Sequence, residues 1–507
     1  MRKNPKIATP VARPASGVTP PATPVARGRP LGPALLAYVA TSLLLLVPCY
    51  WQSRLQLGDL SSHIYNAWLA QLIESGRAPG LAIAPQTTNV LFDLMLSGLF
   101  KTFGAEAAQR ISVSLAVLTF VWGAFAFVSV VAGRRAWGLA PAIAMLAYGW
   151  VLHMGLLDFY VSLGLCFWAL ALAWEWKPRR VAAAAPVLMV AYVAHGLPVA
   201  WTVALLAYLW LARRMTPPPK RAMLMAASLA AMIAARAVVT GTMSYIWLPQ
   251  QMVEITGTDQ LWVFDEKYLA PFLGLLLISG LLLVRLLRAS GVRSVLSGLP
   301  FQVGVLTAAG VCIVPTRLQI PGYNHALVYI AERMSLGVGI CVCALLGSAR
   351  ARVFVRYGLV LLAVVFFSFL FRDERALNSF EDRMEDTVAR LQPGQRVVTG
   401  VDDNGLHTFA VIHMIDRACV GRCFSYGNYE PSTAQFRVRA TAPNPYVVFR
   451  YGDSIDIQRG LYVVKPGDLP IYQVDLEDGR LVIRSLQAGV PCGMKYWNTL
   501  AGTPPKS

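Results

Sequence analysis

Long apolar runs recur through the first three quarters of the chain and set its overall character. A helix needs about 20 mainly apolar residues to cross the roughly 30 Å hydrocarbon core of a bilayer. The runs predict about eleven spanning helices, at residues 33–50, 111–132, 137–152, 156–174, 181–195, 197–212, 222–241, 268–287, 298–315, 334–348 and 355–371. The predicted fold is therefore an α-helical polytopic membrane protein.

One further apolar stretch, at 88–103, does not fit a simple count of spans. If it crossed the membrane, the pair Arg134 and Arg135 would lie outside and every later loop would be inverted. That arrangement would break the rule that cytoplasmic loops carry the excess of Lys and Arg. The stretch is therefore predicted to be a helix that lies in the outer interface or enters the membrane only in part.

After residue 371 the long apolar runs give way to short alternating ones. An amphipathic helix is predicted at 373–391, and the alternating runs predict strands at 396–399, 446–450, 460–464 and 480–484. Pro-Gly and Asp-Gly pairs near them are typical of turns. The pattern predicts a small α+β domain at 372–507, separate from a transmembrane domain at 33–371.

Composition and charge fix the class and the orientation. With 56% hydrophobic and 14% charged residues, the 507-residue chain is too apolar for a soluble domain. The net charge of +18 would suit nucleic acid, but the basic residues lie in the N-terminal tail and in every second loop. This distribution argues against nucleic acid as a partner. It predicts a multi-pass protein of the inner (plasma) membrane, with the N-terminus in the cytoplasm and the C-terminal domain outside.

The first 32 residues are rich in Pro and Arg and contain no acidic residue. Such a segment buries too little apolar surface to fold by itself. We expect a disordered basic cytoplasmic tail at 1–32 that contacts anionic membrane lipid.

Three of the cysteines fall in the predicted external domain, at Cys419, Cys423 and Cys492. In an oxidising exterior they predict one disulfide, either between Cys419 and Cys423 or between one of these and Cys492. The other five cysteines lie in predicted spans, where cysteine behaves as a small hydrophobic residue.

The external loop at 51–110 opens with a polar pattern. If residues 58–67 form a helix, Asp59, His63 and Asn66 share one face while the apolar face lies along the membrane surface. The helix would then present a carboxylate and an imidazole to water or to a substrate. Two simpler interpretations stay open: Asp59 also fits a helix cap, and His63 also fits an ordinary surface residue.

Further ionisable residues are predicted at the same outer level, namely His153, Asp158, His195, Arg236, Glu332 and Arg333. Taken singly, the histidines fit interhelical hydrogen bonds, and Arg236 fits a side chain that reaches to the interface. Taken with Asp59 and His63, the set suits an anionic ligand, because arginine pairs with phosphate and a carboxylate serves as a base or a metal ligand.

Several of these features resemble the GT-C superfamily of membrane glycosyltransferases. They are the basic tail and single span, the external loop that opens with an acidic residue on a surface helix, and Phe103-Gly104-Ala105-Glu106 followed by Ala108-Gln109-Arg110. The resemblance covers residues 33–371 and is sharpest at 58–67. The chain departs from many members in having Leu60 after Asp59, where they carry a second acid.

The resemblance implies an enzyme that transfers a sugar from a polyprenyl-phosphate donor to a lipid, glycan or protein acceptor on the extracytoplasmic face. Asp59 would be the catalytic carboxylate, with Asp158 a second at the same depth. The substrate-binding residues would be His63, His153, His195, Arg236, Glu332 and Arg333, with Arg236 or Arg333 on the lipid phosphate. A divalent cation, Mg²⁺ or Mn²⁺, is left open, to be held by Asp59 and His63. The aromatic external loop at 242–267 would cover the site or form an interfacial belt.

Two other functions stay open. A lipid or anion transporter or flippase would carry polar residues through the whole depth of the bundle, whereas charges are nearly absent from the middle of the predicted spans. A non-catalytic membrane assembly protein would bind a partner through its external domain, and Asp59 would then be replaceable.

The orientation can be checked with reporter fusions at positions in successive loops. Fusions at Arg134, Pro178, Pro217 and Ser290 should report the cytoplasm, and fusions at Ser75, Gly155, Ile255 and Val420 the exterior, because the Lys- and Arg-rich loops stay inside. A cytoplasmic signal at Val420 would contradict the odd number of spans.

Overall fold

The computed structural model describes residues 32–215, 218–349, 352–403 and 405–494. The chain divides into two units, Met1–Leu44 and Leu45–Ser507. The tail predicted at 1–32 lies, except for Gly32, outside the described residues.

Helices make up most of the described chain. In order they are α1 (Pro33–Leu46), α2 (Leu60–Glu74), α3 (Leu91–Ala132), α4 (Ala140–Ala147), α5 (Trp150–His153), α6 (Leu157–Ala173), α7 (Pro178–Ala194), α8 (Gly196–Arg214), α9 (Pro218–Thr242), α10 (Leu269–Ser290), α11 (Val292–Leu296), α12 (Leu299–Ile313), α13 (Ile330–Leu346), α14 (Val353–Val388), α15 (Met414–Ala418), α16 (Glu430–Thr433) and α17 (Tyr451–Gln458). Short 3₁₀ segments connect several of them.

Five helical segments among the described residues are long and apolar enough to cross a membrane, namely Leu91–Ala132, Gly196–Arg214, Pro219–Thr242, Glu266–Ser290 and Val353–Val388. Shorter apolar helical segments lie at Pro33–Cys49, Trp137–His153, Leu157–Ala173 and Leu299–Ile313. These helices support a membrane-embedded protein. The larger number of about eleven spans stays a prediction, as does the orientation.

The centre of the helical bundle is formed where α3 packs against α6. Phe120 stacks on Tyr160 with ring centroids 4.6 Å apart, and Phe127 stacks on Phe167 at 5.7 Å. The helix expected at 88–103 is the first part of α3, which is interrupted by a non-helical residue at Gly104. The kink at Gly104 therefore separates a first helix, which matches the expected stretch, from a second helix that contains the predicted second span. Whether the first helix lies in the outer interface stays a prediction.

Strands are short and fall mostly after residue 390. They are β1 (Leu81–Ile83), β2 (Ser244–Ile246), β3 (Arg317–Gln319), β4 (Arg396–Thr399), β5 (Phe424–Ser425), β6 (Val438–Ala440), β7 (Tyr462–Val463), β8 (Ile471–Glu477), β9 (Arg480–Ser485) and β10 (Pro491–Cys492). One sheet has four strands in the order β5-β4-β8-β9. In it β4 runs parallel to β5 and β8, and β9 runs antiparallel to β8.

The alternating pattern located three of these strands. The predictions at 396–399, 460–464 and 480–484 are confirmed by β4, β7 and β9. The prediction at 446–450 is wrong, because the Asn444 side chain accepts hydrogen bonds from the amides of Tyr446 and Val447 and holds a turn there.

The boundary placed between residues 371 and 372 falls inside a single helix. The last apolar run and the amphipathic helix after it are continuous as α14. Asn378, in its second half, is buried because its side chain bonds the segment before α2, accepting from Ser53 Oγ at 2.8 Å and from the Arg54 amide at 2.9 Å. The β1–β6 pair also connects the loop at 51–110 to the C-terminal part of the chain.

A buried ion pair joins α14 to α15. Arg417 donates through Nε and Nη2 to Glu381 at 2.7 and 2.6 Å. Its Nη1 donates to the Leu55 carbonyl and to Gln109 Oε1, each at 3.0 Å. The side chains of Arg417 and Glu381 are 7% and 0% exposed, so the pair lies out of water and every arm of the guanidinium has a protein acceptor.

The predicted disulfide is present between Cys419 and Cys423, directly after α15. Cys492 is a free, buried thiol. Of the three pairings that the sequence left open, the one between Cys419 and Cys423 is formed.

Replacing Arg417 with methionine should leave the Glu381 carboxylate buried without its charged partner. We expect the unfolding free energy to fall by about 3–5 kcal/mol, the usual cost of breaking one side of a buried ion pair. Thermal unfolding of the purified protein would show this as a lower midpoint.

Two further variants serve as controls. Arg417→Met combined with Glu381→Leu should recover part of the loss, because neither charge is then left alone. Arg422→Met removes an exposed arginine five residues away and should change little. Equal midpoints for Arg417→Met and Arg422→Met would contradict the role of the pair.

Candidate functional site

A cavity of about 380 Å³ lies between the ends of several helices and the chain after residue 400. This volume falls in the range of roughly 300–1,000 Å³ that is usual for small-molecule sites. Its ionisable lining residues include Asp59, His63, Asp158, His195, Arg317, His325, Arg333, His413, Glu430 and Arg459. Its aromatic lining residues include Phe159, Tyr329, Phe409, Tyr429, Phe436 and Tyr451. Residues before 340 and after 400 both contribute, so neither part forms the cavity alone.

Asp59 is the residue directly before α2, and its main chain is held against the α5–α6 turn. Its amide donates to the Met154 carbonyl at 3.1 Å. Gly155 follows with φ +79°, and a Cβ there would lie 2.4 Å from the Asp59 nitrogen, so only glycine fits this close approach. The Asp59 side chain makes no capping hydrogen bond to α2. The capping interpretation therefore does not explain it.

The Asp59 carboxylate is instead in contact with a histidine from the C-terminal part of the chain. His413 Nε2 lies 3.4 Å from Asp59 Oδ1, and His413 Nδ1 lies 2.9 Å from Asp416 Oδ2. Burial opposes a charged imidazole, but Asp416, Asp59 and Asp403 outweigh it and raise the pKa of His413 to about 9. His413 is therefore an imidazolium at neutral pH.

His63 forms the second histidine–carboxylate contact in the cavity. Its Nδ1 lies 2.6 Å from Asp93 Oδ1. Burial again opposes the charge, but Asp93 prevails, with smaller contributions from Glu430 and Asp158, and raises the pKa of His63 to about 10. Glu430 accepts a hydrogen bond from Ser62 Oγ at 2.8 Å, and burial raises the pKa of its carboxyl. His63 thus contributes a positive charge to the cavity.

Asp158 lines the same cavity but holds the start of a helix. Its Oδ1 accepts a hydrogen bond from the amide of Phe92 at 2.8 Å, in the first turn of α3. A carboxyl group at a helix N-terminus accepts hydrogen bonds from the free amides there and interacts favourably with the positive end of the helix dipole. This contact gives Asp158 a structural role that the sequence did not predict.

Within the part of the chain that the structure describes, Arg333 brings a buried, unpartnered hydrogen-bond donor to the cavity. The residue is 8% exposed, and its Nε is buried without a hydrogen-bond partner among the described residues. Its guanidinium carbon lies 5.8 Å from the centre of the Phe159 ring, and the charge of Asp59 acts on it. A buried guanidinium without an acceptor is costly, so an anionic ligand would stabilise it.

Not all of the sequence-predicted residues meet at the cavity. His195 lines it, but its Nδ1 accepts the Leu197 amide at 3.2 Å and caps α8. His153 is completely buried away from the cavity lining, with Nε2 3.2 Å from Glu374 Oε1. The structure thus places Asp59, His63, Asp158, His195 and Arg333 together.

The other two predicted residues make separate contacts. Glu332 accepts a hydrogen bond from Thr316 Oγ1 at 2.5 Å and does not line the cavity. Arg236 lies 5.5 Å over the ring of Trp247 and also lies outside the lining. Of the two arginines expected on a phosphate, only Arg333 reaches the cavity.

The loop at 242–267 does not line the cavity either. Its 3₁₀ segments pack into the helix bundle: Gln251 Nε2 donates to the Val311 carbonyl at 2.8 Å, and Ser335 Oγ donates to Asp259 Oδ1 at 2.5 Å. In this structure the loop therefore supports α12 and α13 and does not cover the site.

Sequence reasoning missed the residues that come from the far end of the chain. Tyr429 and Glu430 lie in the stretch 428–433, whose sequence indicates no particular role. His413 and Asp416 carry no local signal, because the contact with Asp59 joins positions more than 350 residues apart. Only the folded chain brings them together.

The donor atoms in the cavity do not fit a divalent cation. Within residues 32–215, 218–349, 352–403 and 405–494, no group of three or more His, Cys, Asp or Glu is placed to hold a metal ion. The expected ligand His63 has its Nδ1 2.6 Å from Asp93 Oδ1.

Comparisons with protein-family models, with curated proteins and with solved structures found no match to this chain. A functional conclusion therefore rests on the cavity and its side chains.

Proposed function

We propose that this protein is a membrane glycosyltransferase of the GT-C type, which moves a sugar from a polyprenyl-phosphate donor to an acceptor on the extracytoplasmic face. The observation that carries the proposal is the pairing of opposite chemistries in one cavity. Asp59 supplies a carboxylate held away from its helix, and Arg333 supplies a buried guanidinium with an open donor. A base and an anion-binding cation side by side are what glycosyl transfer from a phosphate requires.

The reaction follows from these two positions. Asp59 takes the proton of the acceptor hydroxyl while the acceptor oxygen forms a bond to the anomeric carbon of the donor sugar. The bond from that carbon to the phosphate oxygen breaks, and its electron pair leaves with polyprenyl phosphate. Arg333 balances the charge that develops on the leaving phosphate. The His63 imidazolium adds a second positive charge nearby.

The position of the cavity at the starts of α6 and α13 supports a lipid-linked donor. Arg333 lies in the first turn of α13, and Phe159 lies in the first turn of α6. The ends of apolar helices lie at the level of the lipid headgroups. The phosphate of a polyprenyl phosphate stays at that same level while its chain remains in the bilayer. The donor would thus present its phosphate to Arg333 without leaving the membrane.

Asp59→Asn should abolish transfer while the protein still inserts and folds. The amide keeps the size of the side chain but cannot accept the proton, and a general base typically contributes about 10²–10⁴-fold. The measurement is release of polyprenyl phosphate from a panel of polyprenyl-phosphate sugars in the presence of acceptors. Asp382→Asn, at a side chain that is 59% exposed, is the matched control and should keep full activity.

The outcomes separate the alternative functions. Full activity in Asp59→Asn would contradict the proposal and favour partner binding. Movement of intact donor across a vesicle membrane without cleavage of the sugar would favour a transporter.

Arg333→Lys should weaken donor binding while the same change at Arg236 should not. Lysine keeps the charge but loses the planar fork of donors that matches phosphate, and Arg236 lies outside the cavity lining. We expect the donor KM to rise about 10-fold in Arg333→Lys, the size of one hydrogen bond to a charged group. Equal KM values in the two variants would remove Arg333 from the donor site.

A further inference from the structure

Three side chains form a line that ends at the proposed base. Asp416 contacts His413 at 2.9 Å through Nδ1, and His413 contacts Asp59 at 3.4 Å through Nε2. Asp416 and His413 are 2% and 9% exposed, so two members are buried. This carboxylate–imidazole–carboxylate arrangement cannot be recognised in the sequence, because Asp59 lies more than 350 residues from His413 and Asp416.

The far end of this line is held rigidly. Asp416 also accepts a hydrogen bond from Ser425 Oγ. The helix that carries it, α15, is fixed on one side by the Arg417–Glu381 ion pair and is followed at once by the Cys419–Cys423 disulfide. A residue on such a support keeps its orientation, which is what a side chain that aims another one needs.

We propose that His413, oriented by Asp416, is a positioning residue for Asp59: it holds one carboxylate oxygen and leaves the other to face the acceptor hydroxyl. The inference rests on the proposed function and adds the C-terminal part of the chain to the machinery of transfer. It also explains why the C-terminal part of the chain contributes side chains to the cavity.

The charges around His413 and Asp59 support a positioning role for His413 and the role of base for Asp59. His413 faces Asp416, Asp59 and Asp403. These carboxylates keep it protonated at neutral pH, so it has no lone pair to accept the proton of the acceptor. His413 therefore does not replace Asp59 as the base.

On its other side the Asp59 carboxylate faces groups from two more elements. Its charge acts on Arg333 and on Tyr429, and it also acts on Glu430. His413 and Arg333 are thus cations that act on Asp59 from two different elements.

Two variants test the inference through kcat and the donor KM. His413→Gln removes the charge, and Asp416→Asn keeps the histidine but weakens its support. We expect kcat to fall by about 10- to 100-fold, the range for one hydrogen bond to a charged group, with the donor KM nearly unchanged. His407→Gln is the control, because its ring packs at a tilt against Trp262 and does not line the cavity.

A titration that needs no turnover completes the test. The chain has six histidines, so the imidazole of His413 can be assigned by NMR from its loss in His413→Gln. In the wild type it should stay protonated well above pH 7, and both Asp416→Asn and Asp59→Asn should lower its midpoint. A midpoint near the ordinary value of about 6.5, unmoved by either change, would overturn the inference.

Failure of the inference and failure of the proposed function remain distinct. An unchanged kcat in both variants, with a normally active wild type, would overturn only the role of His413. No release of polyprenyl phosphate by the wild type would overturn the proposed function, and the positioning role with it, even if the NMR midpoints shift.

Discussion

The buried ion pair between Arg417 and Glu381 is the contact on which the arrangement of the cavity depends. Removing two charges from water is unfavourable unless their remaining donors and acceptors are satisfied. Here the guanidinium is satisfied only when α14, α15 and the chain at Leu55 occupy one relative position. We infer that the pair selects this arrangement more than it adds to stability. Asp59 lies four residues after Leu55, and His413 lies four residues before Arg417. The Arg417–Leu55 hydrogen bond therefore holds Asp59 and His413 close to each other.

Two of the cations in the cavity are paired with carboxylates, and a third, Arg333, differs from them. Two imidazoliums are each matched by carboxylates, His63 by Asp93 and His413 by Asp416 and Asp59. Arg333, by contrast, keeps a buried Nε without an acceptor in the described part of the chain. Binding of an anion there would supply the missing acceptor, as the donor phosphate would in the proposed reaction.

The sequence predicted the elements better than it predicted the site. Apolar runs located most helices, and alternation located β4 and β9, because burial and local periodicity are readable within short windows. The role of Asp158 was not readable, since it depends on the amide of Phe92 from another helix. His153 and Glu332 are predicted at the same membrane depth as Asp59, but depth alone does not tell which way a side chain points. The partners of Asp59 were out of reach because they are joined only by tertiary structure.

The contact between Arg417 and Leu55 spans 362 residues of sequence. At a synthesis rate of 5–20 residues per second, about 20–70 s pass between the two positions. During that interval α2 and the Asp59 turn exist without the wall that His413 and Tyr429 supply, and the Leu55 carbonyl lacks the guanidinium that donates to it. The nascent protein thus carries an incomplete cavity until its last hundred residues have been made and folded.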